Sequence, residues 1–231
     1  MPKYYKLSCD KYVFHVQVER KNTIVKVGNE DLACVTLELD HEDKSIILLD
    51  FFHHAQCAID AELEKKEGTR MMLKASLTFA RTLMSADRVS VQLQDESAFF
   101  YDKTRINVPL ADRDLFIYGK TWYEQHIGFR IRPADKSQRS ALERVLNARE
   151  SIDFKRLYSR KGNDVYERDI RPFMIKHSLP SMKGVVWSGK FKDDLVDIKA
   201  VKAVKAVKTK QKRTVGGGVA LPRPRMLIWS E

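Results

Sequence analysis

Four groups of residues in this chain are of types that do chemistry. The stretch Leu115 to Phe129 (LFIYGKTWYEQHIGF) gathers Tyr118, Trp122, Tyr123 and Phe129 beside Glu124 and His126. It reads as an amphipathic helix that stops at Gly128 and hands over directly to an aromatic residue and a strand. Rings so placed either pack as a cluster or present a phenol to a substrate. Glu38, Asp40, Asp50, His53 and His54 are proton acceptors on or beside apparent strands; the sequence singles out none of them. The His53-His54 pair lacks the second Cys/His cluster that a zinc site needs, so no metal is expected. Lys65-Lys66-Glu67-Gly68-Thr69-Arg70 opens a helical pattern. Seven basic residues (Lys199, Lys202, Lys205, Lys208, Lys210, Lys212 and Arg213) then follow one another with no acid between them.

Composition bounds the rest. At 231 residues with 43% apolar content, the chain can bury one good-sized core with appendages. No apolar run approaches the roughly 18–20 residues that span a bilayer, and the start, Met1-Pro2-Lys3-Tyr4-Tyr5-Lys6, lacks a signal-peptide core. An intracellular protein is expected, with no membrane partner. The three cysteines, Cys9, Cys34 and Cys57, are odd in number and widely spaced, which reads as buried free thiols. Of the net charge of +11, the segment Lys190 to Glu231 carries +7.

Periodicity supplies the elements. Tyr12 to Arg20, Asp31 to Asp40 and Ser45 to Phe52 read as strands of an antiparallel meander, the last as a strand buried on both faces. Gly68 to Ala86 carries apolar residues at spacings of three and four, a helix packed by one face on the sheet. Arg88 to Gln94 alternates as a strand, Ser97 to Asp114 is a connector containing Pro109, and a strand is expected near Phe129 to Arg132. Beyond Pro133, Asp135 to Ile152 reads as a helix and Asp164 to His177 as another, interrupted by Pro172. Leu179 to Phe191 reads as irregular but packed. Three regions result: 1–133 as the main α/β domain, 134–190 as a helical extension, and 191–231 as a basic low-complexity tail.

The order strand, strand, strand, helix, strand, helix, strand over about Tyr12 to Pro133, together with the tyrosine and Gly-Phe of the aromatic stretch, resembles the GNAT superfamily of acyl-CoA N-acyltransferases. The likeness is to divergent members of the kind encoded by large DNA viruses. It implies a mixed sheet flanked by helices, acetyl-CoA as acyl donor, and transfer to an amine. The family's phosphate-binding pattern, Gln/Arg-x-x-Gly-x-Gly/Ala before the long helix, falls on Lys65, Lys66, Gly68, Thr69 and Arg70, with Arg70 where the second glycine stands. Read without the resemblance, the same residues are a lysine-rich loop capping an ordinary helix. The resemblance implies Tyr123 as the proton donor to the departing thiolate and places the base among carboxylates such as Glu38 or Asp50. A first strand near Tyr4 to Leu7 leaves too little chain for the family's two early helices, so either those helices are missing or the N-terminal elements are rearranged.

The Val-Lys-Ala repeat of residues 201–208 resembles the tails of linker histones and suits a polyanion, a protein partner or a nuclear address. A second reading follows: a GNAT-like domain without catalysis that serves as a virion or minor capsid component, its tail holding nucleic acid or a large protein assembly.

Overall fold

The computed structural model describes residues 1–96, 98–101, 106–128, 130–151 and 165–201. Phe129, and Lys202, Lys205, Lys208, Lys210, Lys212 and Arg213 of the basic run, lie outside the described residues. The architecture is mixed α/β, built on one nine-stranded sheet with helices packed on it.

Strands β1 (Lys3–Cys9), β2 (Tyr12–Glu19), β3 (Ile24–Gly28), β4 (Ala33–Asp40) and β5 (Ser45–Phe51) form an antiparallel meander in chain order. Helix α1 (Glu67–Met84) then carries the chain back, so that β6 (Val89–Gln94) lies parallel to β5. A hairpin of β7 (Ala98–Tyr101) and β8 (Ile106–Pro109) stands apart as a second sheet. It occupies the stretch that reads as a connector. After α2 (Leu110–Tyr118) and α3 (Trp122–Ile127) comes β9 (Ile131–Pro133), then α4 (Lys136–Glu150). A π-helical turn at Tyr166–Ile170 leads into α5 (Arg171–Lys176) with helical backbone on both sides of the junction, and Pro172 stands at the second position of α5.

The last two strands join the sheet at widely separated positions. β10 (Val186–Phe191) inserts between β6 and β9, antiparallel to both. β11 (Lys199–Val201) pairs with β1 at the opposite edge of the sheet. All three regions drawn from the sequence thus contribute to one sheet, and Lys199, first of the basic run, is a strand residue.

Alternation explains the layering. Leu7, Phe14, Val25, Leu37, Ile46 and Val91 project from one face and are fully or almost fully buried. Their neighbours His15, Gln17, Lys26, Glu38 and Gln92 project from the other and are half-buried. α1 covers the apolar row: Met72, Leu73, Ala75, Leu77, Phe79 and Ala80 are buried, and Phe79 meets Tyr5 of β1 edge-on at 5.3 Å between ring centres.

β5 departs from the doubly buried strand expected for it. A bulge between β4 and β5 sets Thr36 opposite Asp50 and Leu37 opposite Leu48, leaving Leu49 without a partner residue on β4. Leu49 is 53% exposed and Asp50 is exposed with it. The cysteines depart too. Cys34 and Cys57 form a disulfide, both fully buried, tying the start of β4 to a 3₁₀ turn at Ala55–Cys57 in the connection from β5 to α1. Only Cys9 is a buried free thiol, its pKa pushed up to about 11 by burial and by the carboxylates of Asp10 and Asp197.

Candidate active site

The site is defined by the place where two parallel strands part. β5 and β6 pair from Ser45↔Ser90 to Leu48↔Leu93 and no further, while β5 runs on to Phe51. Past Leu48 the β6-facing side of β5 has lost its ladder partner. Phe51 closes one side of this opening and packs on Trp122 of α3 at 5.9 Å between ring centres.

α3 exists because the aromatic stretch is two helices rather than the single one its pattern suggests. Gly119 takes the left-handed conformation that ends α2 (φ +70°), and Arg149 of α4 donates to the freed carbonyls of Phe116 (2.8 Å) and Ile117 (3.1 Å). Thr121 then starts α3 with a capping box: its hydroxyl accepts from the Glu124 amide at 3.2 Å, and the Glu124 carboxylate accepts from the Thr121 amide at 3.3 Å. The other oxygen of Glu124 accepts from Arg132 of β9 at 2.6 Å. The break re-aims the second helix, so that Trp122, Tyr123 and His126 share one corner. Trp122 lies 5.4 Å from the Tyr123 ring and 4.9 Å from that of His126.

Tyr123 is 5% exposed. Burial, and then the carboxylate of Asp95 just past the end of β6, hold its pKa well above that of a free phenol. The hydroxyl therefore keeps its proton throughout the neutral range. Asp95 is itself buried, its amide donating to Val185 O at 3.2 Å and its carbonyl accepting from Gly184 at 2.8 Å. The sequence reading missed Asp95. Its only local signal was a carboxylate ending an alternating strand, and its place beside Tyr123 depends on a contact across 28 residues of chain.

The start of α1 reaches the same corner through Arg70, whose guanidinium lies 3.4 Å from Nδ1 of His126 and also pairs with Glu67. Burial, then the charges of Arg70 and Lys74, lower the His126 pKa. Lys65 and Lys66 are exposed just before the helix. Gly68 and Thr69 are buried. The Thr69 amide already donates to Glu64 O at 3.2 Å, and its hydroxyl to Lys65 O at 2.7 Å. A Cβ added at Gly68 would stand 2.9 Å from Leu63 and 3.0 Å from the Tyr12 hydroxyl. The glycine admits core side chains, and that close approach accounts for it without a phosphate.

Glu38 and Asp50 fall on the half-exposed face of the sheet, away from the Phe51 row. Partial burial raises the Asp50 pKa. Of the residues the sequence proposes, Arg70 reaches His126 of α3, the helix that also carries Tyr123, whereas Glu38 and Asp50 lie on the other face of the sheet and Lys199 at its far edge. His53 is taken up structurally, its Nε2 lying 3.0 Å from Leu63 O. Among the described residues no cluster of three His, Cys, Asp or Glu side chains could hold a metal, and no helix is long and apolar enough to cross a membrane.

Comparison of the chain with protein-family models, with curated proteins and with solved structures finds no match. What the geometry itself defines is an α/β protein with a broad mixed sheet and an opening between parallel strands.

Proposed function

We propose that this protein transfers an acyl group from a CoA-type thioester to an amine, as its resemblance to GNAT acyltransferases implies. The observation that carries the reading is the parting of β5 and β6 beyond Leu48 and Leu93, beside the first turn of α1. Backbone groups of Leu49 to Phe51 left without a β6 partner suit an extended amide-bearing chain, which would pair there as an added strand does. Lys65 and Lys66 would hold the diphosphate of the donor, with Arg70 available beside them. The Thr69 amide, already bonded, would not contribute. When bound, the thioester would supply the activated acyl carbon. Tyr123, kept protonated by burial and by Asp95, is suited to donate a proton to a departing thiolate. Asp50, exposed and with a pKa raised by partial burial, is suited to take one from the amine, and Glu38 on the same face would assist the approach of a cationic acceptor.

Titration calorimetry with acetyl-CoA tests the reading. Saturable binding is expected, weakened by Lys65→Glu with Lys66→Glu; turnover of an amine acceptor should fall on Tyr123→Phe and on Asp50→Asn while binding persists. Silence at millimolar acetyl-CoA eliminates the proposal.

A second reading, an assembly or virion protein built on a GNAT-like domain, is favoured by the internal bonding of the α1 start and by the run from Lys199 to Arg213. It expects salt-sensitive retention on DNA that is lost when residues 202–231 are removed. Retention unchanged by the deletion disposes of a nucleic-acid role for the tail.

A further inference from the structure

A groove of about 560 Å³ runs along the flank of α1, lined by Lys74 of α1, Arg88 before β6, the end of α3 at Ile127 and Gly128, and the segment that follows β10. Its volume lies in the range typical of small-molecule sites, roughly 300–1,000 Å³. Three features make it a built site. Its floor is apolar, formed by Ile127, Phe191 and Leu195, the first two buried. Its rim carries Lys74, Arg88, Lys190 and Lys192, and no side chain of the four is hydrogen-bonded or ion-paired with another described residue. Its outer wall is fixed: Arg81 of α1 pairs with Asp194 at 2.5 Å and bonds the Lys192 carbonyl, while the Leu195 amide donates to the Thr78 hydroxyl at 3.1 Å.

The electrostatics follow from that pinning. Asp194 is engaged by Arg81, so Asp193 alone among the lining acids is left to offset four cations. Unpaired cations held around an apolar floor are matched by a ligand that is anionic at one end and flat and apolar at the other. A duplex would instead need its cations spread along an open surface at phosphate spacing. Gly128, at φ +100°, has no described atom other than those of its chain neighbours within 4 Å of where a Cβ would stand.

We propose that this groove binds a small phosphorylated ligand of nucleotide type, the phosphates meeting Lys74, Lys190 and Lys192 and the flat body lying on Ile127, Phe191 and Leu195. The inference uses none of the residues given roles in acyl transfer; because a CoA donor itself carries an adenosine diphosphate, the groove variants, and not ADP saturation alone, tell this groove from the Lys65–Lys66 site.

The full-length protein is titrated with ADP and with inorganic pyrophosphate at low and high salt. Saturable, sub-millimolar ADP binding is expected, tighter than pyrophosphate and weakened by salt. Lys74→Ala and Lys192→Glu, both replacing side chains with no hydrogen-bond or ion-pair partner among the described residues, are each expected to weaken ADP binding about tenfold with an unchanged circular-dichroism spectrum. Failure of ADP to saturate overturns the proposal, as does binding indifferent to both substitutions. ADP binding no tighter than pyrophosphate removes the role of the apolar floor and overturns it equally. Displacement of ADP by duplex DNA at equal phosphate concentration replaces it with a nucleic-acid surface.

Discussion

Gly68→Ala separates a packing glycine from a ligand-binding one. The added methyl would meet Leu63 Cδ1 at 2.9 Å, Leu63 Cγ at 3.0 Å and the Tyr12 hydroxyl at 3.0 Å, against an ordinary contact of 3.4 Å or more. Three atoms would have to give way by about 0.4–0.5 Å each in a close-packed core, and overpacking of this kind costs about 1–3 kcal/mol. Alanine returns at most about 1 kcal/mol of helix propensity, and less in a first turn. A net loss of about 1–2 kcal/mol is expected. With a urea dependence of about 2–3 kcal/mol per molar, the midpoint of unfolding followed by tryptophan fluorescence should fall by about 0.5 M. Tyr12→Phe supplies the internal control. The Tyr12 hydroxyl is buried and within hydrogen-bonding distance and angle of no other group among the described residues, and Lys11 lies over the ring at 5.3 Å. Removing that oxygen deletes one of the three close contacts, so Gly68→Ala should cost less in the Tyr12→Phe background, a coupling of about 0.5 kcal/mol or more. A midpoint that holds or rises in Gly68→Ala alone would falsify the packing account and return the glycine to a ligand.

Two further outcomes follow from the same corner and from the disulfide. His126 has a folded pKa below its ordinary 6.5, so below about pH 6.5 the unfolded chain binds more protons than the native one. This contribution to stability is complete above that pH and is lost as pH falls through the lowered value; thermal unfolding should show His126→Gln with a shallower decline between about pH 7 and pH 5, and parallel curves for the two proteins reject the assignment. Cys34→Ala with Cys57→Ala, or reduction of the native protein, releases a closure across 23 residues and should destabilise by roughly 3 kcal/mol, read as a lower urea midpoint. Identical midpoints with and without reductant count against the bond.

What the sequence reveals of this fold is what local periodicity encodes. The alternation of Tyr12 to Glu19 and of Val89 to Gln94, and the three-and-four spacing from Met72 to Ala80, place β2, β6 and α1 within a residue or two. The division of the aromatic stretch was also written locally, in Gly119 and in the Thr121-x-x-Glu124 signature, but the apolar pattern runs through both and hides it. β10 is a different case. Its core-facing positions are Trp187, Gly189 and Phe191, and the glycine erases the alternation in the middle of the strand. The disulfide is opaque for a similar reason, since it forms only because the start of β4 and the turn after β5 are brought together by the meander. The site is half legible. Tyr123 stands out through its aromatic company, whereas Asp95 acquires its meaning only from the parting of strands next to it, and Gly68 reads as a phosphate glycine until the positions of Leu63 and Tyr12 are known.

The position of β10 also governs how the chain is born. β6 is complete at Gln94, but the strand that seals its free side begins at Val186. At about 5–20 residues per second, a ribosome needs on the order of 5–20 s to supply it. Throughout that interval the nascent chain carries an unpaired β-edge ending beside the corner that holds Tyr123, open to any passing extended peptide. A polypeptide stalled or cleaved anywhere between these points would retain that sticky margin for good, which makes incomplete translation products of this protein natural clients for chaperones.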